Sequence, residues 1–275
     1  MPRNLFGLVT TLLAAISSCS ANRPKEAPPT RVALSLAGRM NAQVHRNPRF
    51  AYAVPYRLYS PPKRTTGQRY PLLVYLHGGG DSGSDNLRQL NDDVARFLAP
   101  EIQSLEPFFV LAPQCPNGDE WINRRARPPF KPYDQSKFPE SDAAKATLEI
   151  IQALFSAEPI DPDRVYLTGV SMGGSGTWDF ITRHPGIVAA AIPVTGVGDP
   201  SRAEVVAHLP IWAFHGTLDE ISPIENSRAM SRALYAVGAK AKFTEFEGVG
   251  HDSWTRAYSQ RETFVWLFEQ RRGAR

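Results

Sequence analysis

A mostly parallel β-sheet with helices on both faces is the fold class that this sequence predicts, and three observations carry the prediction. Residues 72–76, 108–112 and 165–167 are continuous apolar runs without polar alternation, the mark of strands buried on both faces. Between them lie longer segments whose apolar residues recur at helical spacing, and this alternation argues for parallel strands joined by helical crossovers. At 275 residues, 42% of them hydrophobic, the chain has the size and apolar content for one large domain, and no internal repeat divides it.

The N-terminal residues read apart from that domain. Arg3 supplies a positive start, residues 5–16 an apolar stretch too short to span a bilayer, and Ser17, Ser18 and Cys19 a small-residue processing site. The ISSC stretch resembles a bacterial lipobox, which implies a lipoprotein-type signal peptide over residues 1–19 with Cys19 as the lipidated residue. Residues 20–30, rich in proline and charge, are expected to tether that anchor to a domain over residues 31–275. The expected location is the cell envelope, with membrane contact only through the lipid. With Cys19 set aside, Cys115 is the one remaining cysteine, so no intramolecular disulfide is expected.

Within the domain, residues 49–59 alternate and carry aromatics, which predicts an early antiparallel strand broken near Pro55. A turn-rich loop over 61–70 leads into the buried strand 72–76. Leu87, Leu90, Val94 and Phe97 then predict a helix over 85–98. After the strand 108–112 comes a long irregular insertion, 113–139, of the kind that tends to carry function. A helix is predicted over 141–157, followed by the strand 165–167 and a helix-compatible run. Strands at 188–194, 211–215 and 242–246, a helix at 223–237 and a final helix at 258–271 complete the chain. The 31 basic residues are interspersed with 27 acidic ones, and without a basic stripe interleaved with aromatics no nucleic-acid partner is expected. The densest basic run, Arg124, Arg125, Arg127 and Lys131, reads as a solvated loop.

In such sheets ligands meet the carboxyl ends of the strands, and four of those ends carry chemistry. The first is GVSMG, residues 169–173, set between a strand and a helix-compatible run. A sharp strand-to-helix turn lifts a serine hydroxyl clear of the sheet and needs small residues two before and two after it, so Ser171 is the candidate nucleophile. The second is HGGG, residues 77–80, where consecutive glycines let backbone N–H groups approach a substrate oxygen. Gly79 and Met172, the residue after the serine, are the expected oxyanion donors, with Gly80 the weaker alternative and His77 a structural tie. The third end leads to Asp219 and the fourth to His251. A serine hydroxyl is a weak nucleophile at neutral pH, so a histidine must take its proton and a carboxylate must fix the imidazole tautomer. Asp199 and Asp252 compete for the acid. No HExxH, paired CxxC or strand-following GxGxxG occurs, so no metal or cofactor is expected.

The series LLVYLHGGGDSGSDN, FFVLAPQCP, VYLTGVSMGGSGTWDF, PIWAFHGTLDEISP and GVGHDSW resembles the bacterial α/β-hydrolase esterases grouped with peptidases and with carboxylesterase or phospholipase-like enzymes. These are relatives of feruloyl and acetylxylan esterases and of polyhydroxybutyrate depolymerases. The resemblance runs over residues 56–270 and implies an α/β-hydrolase fold with Ser171 as nucleophile, Asp219 as acid, His251 as base and the loop around Gly79 as oxyanion donor. No large cap domain is visible between the strand ending at Val194 and the one starting at Ile211, so a comparatively open site is expected. The function expected is hydrolysis of carboxylic esters, small or polymeric, through an acyl-enzyme. A peptidase and a non-catalytic binding module on the same fold stand as alternatives. Trp121, in the insertion, and Trp254, three residues after His251, are expected to line the substrate cleft, and Trp178 and Trp212 to be core.

Overall fold

The computed structural model of the protein describes residues 28–123 and 128–273. The expected signal peptide with Cys19, residues 20–27 of the tether, and Arg124, Arg125 and Arg127 lie outside the described residues.

Among the described residues, one eight-stranded sheet organises the domain, in the order β1-β2-β4-β3-β5-β6-β7-β8. The strands are β1 (Asn41–His45), β2 (Val54–Tyr59), β3 (Tyr70–Leu76), β4 (Phe109–Pro113), β5 (Ile160–Val170), β6 (Ala190–Val194), β7 (Trp212–Gly216) and β8 (Lys242–Phe246). β1 and β2 pair antiparallel, as do β2 and β4, and every other pair is parallel. Side chains alternate between the faces. Leu72, Val74 and Leu76 of β3 join one core cluster while Leu73 and Tyr75 join the other, so the apolar run of β3 feeds two cores at once.

Among the described residues, eight α-helices cover the sheet: α1 (Arg31–Ala37), α2 (Asp92–Phe97), α3 (Pro100–Gln103), α4 (Asp142–Ala157), α5 (Met172–Arg183), α6 (Glu225–Ala236), α7 (Ser253–Ser259) and α8 (Arg261–Phe268). Residues of α4, α5 and α6 fill the first core, and those of α1, α2, α3, α7 and α8 the second. Helix α4 is the clearest case. Ser141 caps it by accepting from the Ala144 N–H, and Ala143, Ile150, Ile151 and Leu154 bury one stripe. Each of the isoleucine and leucine side chains removed from water contributes about 1.5–3 kcal/mol.

Three sequence expectations are corrected. The early strand starts at Val54 rather than residue 49, and Pro55 lies inside it without breaking it, because β4 pairing starts only at Tyr56 and the Pro55 carbonyl accepts from Gln114. Its antiparallel partner, Asn41–His45, is mostly exposed and carries no apolar signal. The helix expected over 85–98 is confined to Asp92–Phe97. Asp85 turns the chain by accepting from the Leu87 and Arg88 N–H groups, and Asn91 caps the helix through the Asp93 and Val94 N–H groups. The final helix is two helices, interrupted at Gln260, which takes an extended conformation.

Candidate active site

The sheet reverses its strand order beside β3, so the ends of β3 and β5 lie next to each other, with Leu76 paired to Gly169. Ser171 follows β5 directly and has φ 54° and ψ −112°, a backbone conformation seldom adopted by a residue with a side chain. The turn holds because neither flank carries a Cβ. A Cβ at Gly173 would stand 1.8 Å from the Leu76 carbonyl oxygen, and one at Gly169 would stand 2.4 Å from that of Gly173. Ser171 N–H donates to the Val194 carbonyl and to Thr195 Oγ1, which fixes the turn against β6.

Three side chains from separate loops meet above this turn. His251 Nε2 is 2.8 Å from Ser171 Oγ, and His251 Nδ1 is 2.8 Å from Asp219 Oδ2. With Nδ1–H donating to the carboxylate, Nε2 is left bare to accept the serine hydroxyl proton. Asp219 is buried, and its second oxygen accepts from the Ile221 and Ser222 N–H groups at 2.9 and 2.8 Å. Burial alone would raise its pKa, but donors from His215, His251 and Ser222 outweigh it and hold the carboxyl well below the usual range. The competing acids stand elsewhere. Asp199 accepts from Gln135 and Ser201, and Asp252 is exposed at the start of α7.

A fourth side chain belongs to this cluster and has no signal of its own in the sequence. His215, at the end of β7, is fully buried, with Nε2 2.7 Å from the Ser222 carbonyl oxygen and 3.1 Å from Asp219 Oδ2. The Ser222 carbonyl can only accept, so Nε2 carries a proton, and the Ser227 hydroxyl lies 2.7 Å from Nδ1. His215 therefore ties both ends of the loop 219–222 and shares an oxygen with His251.

Beside Ser171, the loop after β3 turns through Gly79–Asp81. Met172 N–H opens α5, and neither it nor the Gly79 or Gly80 N–H has a hydrogen-bond acceptor among the described residues. His77 anchors the loop from below. Its Nδ1–H donates to the Gly78 carbonyl and its Nε2 accepts from Cys115 N–H, while burial pushes its pKa down to about 4.

Trp121 is corrected. It does not line a cleft: it is fully buried, and its indole N–H donates to the His77 carbonyl at 3.0 Å, so it supports the glycine loop from the core side. Trp254 is half-buried and meets the His251 ring edge-on at 5.4 Å. Trp178 is core, whereas Trp212 is half-buried, with the Lys242 ammonium 4.7 Å from its ring centroid. Between β6 and β7 only the short turn Pro200–Val206 intervenes, so no large cap stands there. The cover that does exist comes from the insertion, which helps to enclose a cavity of about 270 Å³ beside Ser171.

Comparison with known proteins agrees with this geometry. Residues 63–267 match the phospholipase/carboxylesterase family. The carboxylesterase SOBER1 of Arabidopsis thaliana is 27% identical over 210 residues, which cover 70% of this chain and 89% of that protein. A thermostable esterase of known structure is 37% identical with a TM-score of 0.80, over 86% of this chain and 64% of the esterase's own length. A ferulic acid esterase shares the fold at 15% identity, with a TM-score of 0.61 over 83% of this chain and 98% of its own. The chain has the α/β-hydrolase fold and belongs to the phospholipase/carboxylesterase family.

Proposed function

We propose that this protein is a serine esterase in which Ser171 attacks the carbonyl of a carboxylic ester, His251 takes the serine proton, and Asp219 holds the imidazole. The hydrogen-bonded chain Ser171–His251–Asp219, with both links at 2.8 Å, is the single observation that carries the reading. In the first step the bond between Ser171 Oγ and the acyl carbon forms, and the carbonyl oxygen takes the negative charge. The N–H groups of Gly79 and Met172 are assigned to receive that oxygen. His251 then gives the proton to the leaving alcohol, and water, deprotonated by the same imidazole, releases the acid and restores Ser171.

An intact nucleophile, base, acid and pair of N–H groups argue against a binding module, which requires none of this order. Between β6 and β7 no large cap covers Ser171, and this open approach favours esters over peptides. Acylated carbohydrates and polyesters are the substrates that the resemblance suggests. The reading is tested by steady-state hydrolysis of a 4-nitrophenyl ester beside the matching 4-nitroanilide. The parent is expected to prefer the ester by at least a hundredfold in kcat/KM, and equal rates would favour the peptidase. We also propose that the protein is exported and anchored through Cys19. Detergent-phase partitioning that disappears in Cys19→Ala is the expected result, and equal partitioning of both forms would refute it.

A further inference from the structure

We propose that Asn91 is a positioning residue for ester hydrolysis: its side-chain amide ties the glycine turn that receives the oxyanion to the strand from which that turn emerges. This role rests on the Ser171 and Gly79 reading above and adds a residue that acts through the turn rather than on the substrate.

The turn needs a hold from outside. Gly79 and Gly80 have no side chains to pack, and a Cβ at Gly80 would meet nothing within 4 Å. Inside the turn, Asp81 N–H donates to the Gly78 carbonyl at 3.1 Å and Ser82 N–H to that of Gly79 at a longer 3.5 Å. His77 fixes the near end through the Gly78 carbonyl. At the far end the Asp81 carbonyl accepts from Gln114 Nε2 at 3.4 Å, and Gly83 N–H reaches the Cys115 carbonyl two residues further on. The short bond at that end is made by the Asp81 carboxylate, whose Oδ2 accepts from Asn91 Nδ2 at 2.9 Å.

The orientation of the Asn91 amide follows from its neighbours. Oδ1 accepts from the Asp93 and Val94 N–H groups at 3.1 and 3.2 Å, which caps α2. Those backbone groups can only donate, so the NH2 must face the other way. There one N–H reaches Asp81 and the other reaches Tyr75 Oη, also at 2.9 Å. Tyr75 is fully buried in β3, two residues before His77, and its hydroxyl donates to Asp93 Oδ2 at 2.7 Å. A ring therefore closes from Tyr75 along the chain to Asp81 and back through Asn91, with every donor matched to an acceptor. Burial raises the Asp81 carboxyl to about 6 against the pull of the Asn91 amide and the Arg88 guanidinium. A carboxylate so short of water depends on the donor that Asn91 supplies.

An N–H group stabilises an oxyanion only when it is aimed before the charge develops, and removing one such donor costs about 100- to 1000-fold in rate. A donor that is displaced rather than removed should cost less, on the order of 10- to 100-fold.

Variants of the full chain are to be compared with an aryl acetate as substrate and a hexyl trifluoromethyl ketone as inhibitor. Ser171 Oγ adds to the ketone carbon, the serine proton passes to His251, and the ketone oxygen takes the charge, so the inhibition constant reads the oxyanion donors without a leaving group. Asn91→Ser keeps a cap for α2 and deletes both N–H donors. It should lower kcat about 10- to 100-fold, weaken the ketone by a similar factor and leave KM within about threefold. Asp81→Ala, which leaves the cap alone, should do the same, whereas Asp81→Asn, which still offers Asn91 an acceptor, should recover most of the loss. The double variant Asn91→Ser with Asp81→Ala should fall within about threefold of either single one, because both cut the same bond. Variants that lose melting temperature but keep the parental kcat and ketone affinity, or single losses that multiply in the double variant, overturn the role of Asn91. If Ser171→Ala keeps its activity, the catalytic reading fails; if Ser171→Ala is inactive while Asn91→Ser and Asp81→Ala match the parent, only the positioning role does.

Discussion

Replacing Asp219 with asparagine removes one charge and almost no volume, so its effect reads the hydrogen-bond chain alone. In the parent each carboxylate oxygen accepts from two donors. Oδ1 faces the Ile221 and Ser222 N–H groups, and Oδ2 faces His251 and His215. An amide offers one acceptor and one donor, so its NH2 must point at one of these pairs. Backbone N–H groups cannot change their character, whereas an imidazole can exchange tautomers. The NH2 therefore turns toward His251, whose proton moves to Nε2, the nitrogen that must be bare to accept from Ser171 Oγ at 2.8 Å. The expected loss is about a thousandfold to ten-thousandfold in kcat, some 4–5 kcal/mol of barrier, with little change in the folded structure. Asp252→Asn should stay within about twofold, since that side chain is exposed and makes no cap bond. Initial rates on an aryl acetate, with circular dichroism as the fold control, decide between them. A crippled Asp252→Asn beside an active Asp219→Asn would refute the reasoning.

His215→Leu should lower kcat by about 10- to 100-fold, because it removes a donor shared by the Ser222 carbonyl and a buried carboxylate, and His215→Gln, which can still donate there, should recover most of it. Equal activity of the two variants would remove His215 from the positioning of Asp219. Gly173→Ala should destabilise by more than about 3 kcal/mol, because its Cβ would lie 1.8 Å from the Leu76 carbonyl oxygen, whereas Gly80→Ala, with nothing within 4 Å, should leave the melting temperature nearly unchanged. Asp93 gives a pH signature. Burial is the main cause that raises its carboxyl to about 6, with a smaller contribution from Asp81. Its favourable contribution is therefore complete below the ordinary value near 3.8 and is lost as pH rises through 6. Asp93→Asn should raise stability at pH 8 by about 1–3 kcal/mol and change it little at pH 4, as read by urea unfolding at both values.

The parts of the fold that could be read from the sequence are those whose residues face one uniform environment. β3, β4 and β5 are buried on both faces, so unbroken apolar runs betray them, and α4 buries a stripe next to a capping serine. The edge strand Asn41–His45 is mostly exposed and leaves no apolar pattern, so it was not legible. The segment 85–91 has apolar residues at helical spacing, but side-chain bonds from Asp85 and Asn91 win over the helix. At the site, Ser171, Asp219 and His251 were legible because strand ends with glycines expose them one by one. Trp121 was misread, since only the fold shows that its indole N–H has the His77 carbonyl to reach. The sequence does not mark His215, because a strand-end histidine before glycine looks the same whether it ties a loop, as His77 does, or holds a carboxylate.

The most direct test of the account is the mass of the protein after exposure to a fluorophosphonate, which forms a stable phosphorus–oxygen bond only with an activated serine, releasing fluoride. One adduct per chain, mapped by peptide sequencing to Ser171 and absent from Ser171→Ala and from His251→Ala, is the predicted result. An unmodified parent, or an adduct on any other residue that persists in Ser171→Ala, would contradict the assignment of Ser171 as the nucleophile.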